Sequence, residues 1–238
     1  DVTTDIENQV NGFSNHNYIQ DLNIKKLDFN LINENIEIED LLMSQSKIQV
    51  VTTTSQKEIP LETDSNKASN WLVNIKQITL DSNTISYDKK DQAQSNDFNP
   101  NHLTLSPLTL HANNLYYTAD SISTMINQLN VHDRSGLSID TLHALLVYTK
   151  QQMSATELFL KTPQSELKNA LHISFDSIQS ITTHPENTSI QIKLNESRIA
   201  MNELFKWVPV LKKKINASAF YNQSLRINTL ITGTLEKI

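Results

Sequence analysis

The chain has 238 residues, enough to bury a core as one domain or two. Its net charge of −6, from 20 basic and 26 acidic residues, argues against a nucleic-acid partner, because phosphate binding needs a basic field. Cysteine is absent and glycine occurs only at Gly12, Gly136 and Gly233, which excludes thiol catalysis, disulfides and cysteine-ligated zinc and leaves no glycine-dependent phosphate loop or nucleophile elbow.

Residues 1–18 are polar and rich in asparagine, with Val2, Ile6, Val10 and Phe13 at helical spacing; they are expected to form a polar entry segment or short helix, ahead of a β region over 19–238. Strands are expected through 19–31, 36–43 and 47–54, followed by a polar loop at 55–70 that contains Pro60. A distinctive apolar rhythm runs through the strand phrases: two residues at spacing two, a skip of three, then two more. It appears as Leu22, Ile24, Leu27, Phe29; as Val73, Ile75, Ile78, Leu80; as Leu103, Leu105, Leu108, Leu110; and as Leu137, Ile139, Leu142, Ala144. Alternate side chains of a strand share a face, so the skip reverses the face unless a β-bulge absorbs one residue and bends the strand. The rhythm therefore predicts strands that curve around one apolar surface.

Residues 73–87 (VNIKQITLDSNTISY) overlie 103–117 (LTLSPLTLHANNLYY) without a gap. The polar runs DSNT and HANN suit hairpin turns, which makes each phrase a degenerate strand–turn–strand repeat. Between them, 88–101 reads as a polar link. Segment 119–132 carries both helical and strand spacing and is assigned as strand from its neighbours. Ser135-Gly136 marks a turn, 171–181 places Leu171, Ile173 and Phe175 on one strand face, and 189–201 contains a turn at Asn195-Glu196-Ser197. The clearest helix is 202–214, with Asn202 as N-cap, an apolar side including Leu204, Phe205 and Trp207, and Pro209 as a kink. Such a helix suits a plug at one end of a β structure or a cover over an open edge.

Seven histidines are scattered without HxH, HxxH or HExxH spacing, so neither a metal nor any other cofactor is expected. Ser135, His132 and Asp133 do not make a triad, because adjacent strand residues point to opposite faces. Sequons at Asn187, Asn195, Asn216 and Asn222 are unremarkable in a chain rich in Asn and Ser. The apolar face remains as the feature able to bind a partner, and no enzyme activity is expected. Its candidate lining is Ile75, Ile78, Leu80, Leu103, Leu105, Leu108, Leu110, Leu158, Leu160, Ile190, Ile192 and Leu194.

The phrases NIKQITLDSNTISYD, FNPNHLTLSPLTLHANNLYY, RSGLSIDTL, LKTPQSEL and SRIAMNELFKWVPVLKK resemble the TamB family of translocation and assembly module proteins, in its Bacteroidota form within the AsmA-like group, from about residue 20 to the end. The resemblance implies a periplasmic β groove in a parent protein anchored in the inner membrane. It also implies phospholipid acyl chains as cargo between inner and outer membranes, or outer-membrane protein assembly with an Omp85-type partner reached through the parent chain. The chain starts in a polar run and stops in a strand-like phrase, and is expected to be an internal segment of such a parent, without the family's N-terminal anchor and C-terminal domain. The fold expected is mainly β, an elongated, curved, twisted antiparallel repeat sheet, groove-like, with one or two short helices. The alternative is a β-solenoid scaffold or adhesin-like module whose apolar faces stack as a closed core.

Overall fold

Strand-period alternation dominates the folded chain as it dominates the sequence. The computed structural model describes residues 1–8, 12–53, 70–94, 98–178, 180–207 and 217–235. Thirteen strands among them form one open, curved and twisted sheet: β1 (Val2–Asn8), β2 (Phe13–Ile19), β3 (Asp21–Asn30), β4 (Asn35–Ser44), β5 (Lys47–Thr52), β6 (Leu72–Lys89), β7 (His102–Tyr117), β8 (Ser121–Asp133), β9 (Ser138–Thr149), β10 (Gln152–Lys161), β11 (Glu166–Ser174), β12 (Ser189–Ala200) and β13 (Ser224–Thr234).

The order is nearly a meander. β2 pairs β5 and β3 pairs β4, so 13–30 and 35–52 form one long hairpin broken midway in both arms. β4 and β5 then lie in parallel along successive halves of β6, and every later pairing is antiparallel. The sheet is thus mixed. It is eleven positions wide, which at ~4.8 Å between strands gives about 50 Å along the ladder direction.

Two of the skips of three, Ile24 to Leu27 and Ile75 to Ile78, have a shared physical origin. Lys26 in β3 and Asn114 in β7 have left-handed φ of 50° and 53°, and the β3/β4, β4/β6 and β6/β7 registers are the same on either side of Lys26, Glu39, Lys76 and Asn114. Four neighbouring strands therefore take the extra residue at one level, so the apolar face is kept and the strands bend together. Further bends occur at Gln45, Ser82, Glu157 and Glu196, with φ between 47° and 54°, next to register breaks in β6/β7, β10/β11 and β12/β13.

These bends revise several sequence expectations. DSNT and HANN are not turns: β6 and β7 run straight through them and pair antiparallel, Val73 opposite Tyr117 rather than alongside Leu103. Asn195-Glu196-Ser197 likewise lies within β12. The same small polar residues that suit turns also tolerate left-handed backbone inside a strand. Of the two forms expected for 1–18, a polar entry segment or a short helix, the helix is not seen among the described residues, where β1 and β2 pair antiparallel. β11 begins at Glu166 and ends before Phe175. The expectations at 55–70 and at Pro209 fall mainly or wholly outside the described residues.

Short helices complete the chain: α1 (Ser180–Thr183), a 3-10 turn (Pro185–Asn187), α2 (Met201–Trp207) and α3 (Ala217–Phe220). α2 starts directly after β12, one residue before the expected cap. Asn202 is inside it and its Oδ1 accepts the adjacent N–H of Glu203 at 2.9 Å.

Candidate functional site

Directly opposed residues on paired strands share a face, so the ladders trace which side chains meet. One row runs Leu22, Met43, Leu80, Leu110 across β3, β4, β6 and β7 and continues through Leu129, Leu142, Leu160 and Leu167 across β8 to β11. A second row, nearer the strand ends, passes Phe29, Ile36, Val73, Tyr117 and Ile122, then Tyr148, Met153, Ile173 and Ile190. Between them lies Ile24, Leu41, Ile78, Ala112, Ile126 and Ala144. The other face is mainly polar, as in the row Ser123, Val147, Ser154, His172, Gln191.

All twelve candidate residues lie on the apolar face, on β6, β7, β10 and β12. The list omitted the residues of β8, β9 and β11 that join them, including Leu129, Leu142, Leu146 and Leu171. Their signal was present as strand spacing, but which parity faced inward required the ladder. Among the described residues the sheet is a single layer, yet Ala144 is 0%, Ala112 3% and Ile75 8% exposed. Neighbouring side chains of a bent face close over its lowest line, so this face is the hollow of a trough.

One side of the trough is capped. α2 places Trp207 against two walls at once: a cavity of about 110 Å³ with Leu160, Leu167 and Ile199, and one of about 170 Å³ with Leu105, Val131 and Ile139. Phe205 is fully buried and stacks on Tyr221, ring centroids 6.4 Å apart. The cap is tied down by Glu203, a buried carboxylate missed by sequence reasoning. It accepts the Thr162 and Ser165 hydroxyls, each at 2.5 Å, and the Gln164 N–H at 3.0 Å. Ser165 in turn receives the Ala200 N–H at 3.0 Å. An acid in the first turn of α2, among Met201, Leu204, Phe205 and Trp207, together with Thr-x-x-Ser in a hairpin turn, was the available signal.

Towards the opposite strand ends the face is open. Ile122, Leu146, Tyr148, Met153 and Leu171 border a recess of about 400 Å³, and Ile122 and Tyr117 are exposed. Leu22, Ile24, Leu27 and Phe29 on β3 are exposed as well.

Two polar devices hold the bends. Where the β4/β5 line breaks, the fully buried Asn83 side chain acts as a spare peptide group, accepting the Ser46 N–H and donating to the Met43 carbonyl, both at 2.9 Å. Ser46 Oγ donates to the Ser44 carbonyl at 2.8 Å and accepts the Gln20 N–H at 3.1 Å. In β12, Ser197 repeats this arrangement with Asn195 and Lys168. At the capped side, Asp133 accepts N–H groups of Thr104 at 3.0 Å and Ser135 at 2.8 Å. Burial works against its charge, but the donors from Ser135 and Thr104 outweigh it and hold its carboxyl below the usual range.

Among the described residues no group of three or more His, Asp or Glu is placed to hold a metal, and no helix is long and apolar enough to cross a membrane. No family model, curated protein or solved structure matches the chain.

Proposed function

We propose that this chain is a non-enzymatic envelope module whose trough shelters phospholipid acyl chains from water. The observation that carries the reading is the unbroken apolar row from Leu22 to Leu167, leucine on every strand but β4, on a face that no second layer of described residues covers over most of its length. Apolar surface of this extent calls for a cover, and an acyl chain supplies one, each buried methylene contributing about 0.8 kcal/mol. The rows run across the strands, so a chain can lie along them in many positions without a point site. The resemblance to the TamB family extends the proposal to the periplasm, to lipid passage between inner and outer membranes and, through the parent chain, to an Omp85-type partner in outer-membrane protein assembly.

The test is a photoreactive benzoylphenylalanine placed at Leu146 in the trough or at Val147 on the outer face, followed by mass spectrometry of protein purified from a membrane-containing host. Lipid adducts are expected from position 146 and not from 147. Equal labelling at both positions, or protein free of lipid after gentle extraction, would sink the reading. It would favour a scaffold, in which the face serves only as core. Ile122→Asp, at an exposed position of the open recess, is expected to lower lipid occupancy with little loss of stability.

A further inference from the structure

The turn joining β3 to β4 carries two apolar side chains at its apex, Leu31 at 69% and Ile32 at 94% exposure, where polar residues ordinarily sit. The apex is braced in that form. Asn30 Oδ1 accepts the N–H groups of Ile32 and Asn33, both at 3.0 Å. Glu34 fastens the turn to the start of β6, its side chain accepting the Asn70 N–H at 2.9 Å and its carbonyl the Leu72 N–H at 2.8 Å. Behind the apex, Phe29 stacks on Trp71 with ring centroids 5.5 Å apart. Phe29 also opens the outer row of the trough, so the apex prolongs the apolar face beyond its rim.

The charged residues nearest the apex, Asp28, Glu34 and Glu37, are all acidic. Lys25 and Lys26 are paired with Asp40 and Glu39, whereas Asp28 and Glu37 stand directly opposite each other across β3 and β4, Glu37 accepting only the neutral Asn35 side-chain N–H at 3.2 Å among the hydrogen bonds seen. A like-charge cross-strand pair is unfavourable alone and is relieved by a cation close to both.

We infer that the β3–β4 apex inserts into the surface of a zwitterionic lipid bilayer. Leu31 and Ile32 enter the acyl boundary, Trp71 and Phe29 lie at headgroup depth, and Asp28 and Glu37 meet the ammonium groups of ethanolamine or choline heads. This rests on the trough reading, since it names the surface from which the trough takes its lipid. Two adjacent projecting side chains form a wedge suited to a fluid surface. A folded protein partner would need a matching pocket and a far larger contact area.

The experiment is co-flotation of the protein with phosphatidylcholine–phosphatidylethanolamine vesicles and, in parallel, with phosphatidylglycerol vesicles. Wild type is expected to float with the zwitterionic vesicles even at about 0.5 M salt, because apolar insertion is not screened. The double variant Leu31→Ser, Ile32→Ser is expected to partition about a hundredfold less, from the apolar burial it forgoes, with photolabelling from position 146 in detergent unchanged. Absence of wild-type flotation, equal flotation of the variant, or flotation restricted to anionic vesicles would overturn the inference. So would a change of oligomeric state in the variant, which would make the apex a protein contact. Flotation without labelling at 146 would instead overturn the trough and leave the apex standing.

Discussion

Asn83 offers the sharpest test of how the bends are held. Its amide is fully buried and supplies both an acceptor to the Ser46 N–H and a donor to the Met43 carbonyl. Asn83→Leu keeps the branching and heavy-atom count of the side chain but strands both backbone groups away from water. Leaving one such group unsatisfied costs about 1–3 kcal/mol, so the pair predicts a loss of about 2–5 kcal/mol. Urea unfolding followed by far-ultraviolet circular dichroism measures it, as a lower midpoint with an unchanged slope. Asn83→Asp adds a pH signature. The carboxylate retains the acceptor but not the donor, and burial raises its folded pKa above the unfolded value of about 3.9. The variant's deficit therefore grows as pH rises past that value and shrinks below it, where a protonated carboxyl can donate. A Leu variant within about 0.5 kcal/mol of wild type would refute the spare-peptide argument.

Glu203→Ala removes three hydrogen bonds that tie α2 to the β10–β11 turn; a loss of about 2–4 kcal/mol in the docking of the cap is expected, seen as a red-shifted, more quenchable Trp207 emission with the sheet's circular dichroism retained. Asp133, whose carboxyl lies below its usual range, contributes stability that is present above its unfolded pKa of about 3.9 and is lost as pH falls through the folded value. Asp133→Asn is accordingly expected to flatten the acid limb of a melting-temperature profile. Glu196, at φ 47°, tolerates Gly within about 0.5 kcal/mol, whereas Glu196→Val is expected to cost about 1–2 kcal/mol in chemical denaturation, since a β-branched residue resists left-handed backbone.

Much of the sheet was legible before folding. Spacing placed β3 to β5 within about two residues, the skip from Ile24 to Leu27 marked the left-handed Lys26 of β3, and the skip from Leu105 to Leu108 marked a register shift between β7 and β8. What spacing could not say was whether DSNT and HANN reverse the chain or merely bend it. Both outcomes need residues at ease with left-handed φ, and only the partner strand decides between them. The gapless overlay of 73–87 on 103–117 was also a true likeness with a different geometry, since two similar strands can lie antiparallel. Val2 and Ile6 misled for a simpler reason: residues four apart share a face in both helix and strand, and the intervening Thr4 shares it too. Of the candidate face, its residues could be named but not their neighbours, because Leu80 meets Leu110, and Leu110 meets Leu129, only through registers set by bends elsewhere. Glu203 escaped because its partners lie about forty residues away in the hairpin turn.

The trough's lowest line alternates in size, Ile78, Ala112, Ile126, Ala144. Two methyl groups therefore set its bore. Because Ala112 and Ala144 are enclosed at 3% and 0% exposure, a larger side chain at either place must lift the walls apart, while the hydrogen-bonded ladder and the bends on either side keep their pairing. The gauge of the channel is thus separable from the architecture that builds it, and a sheet of this kind can be widened or narrowed from within, one side chain at a time.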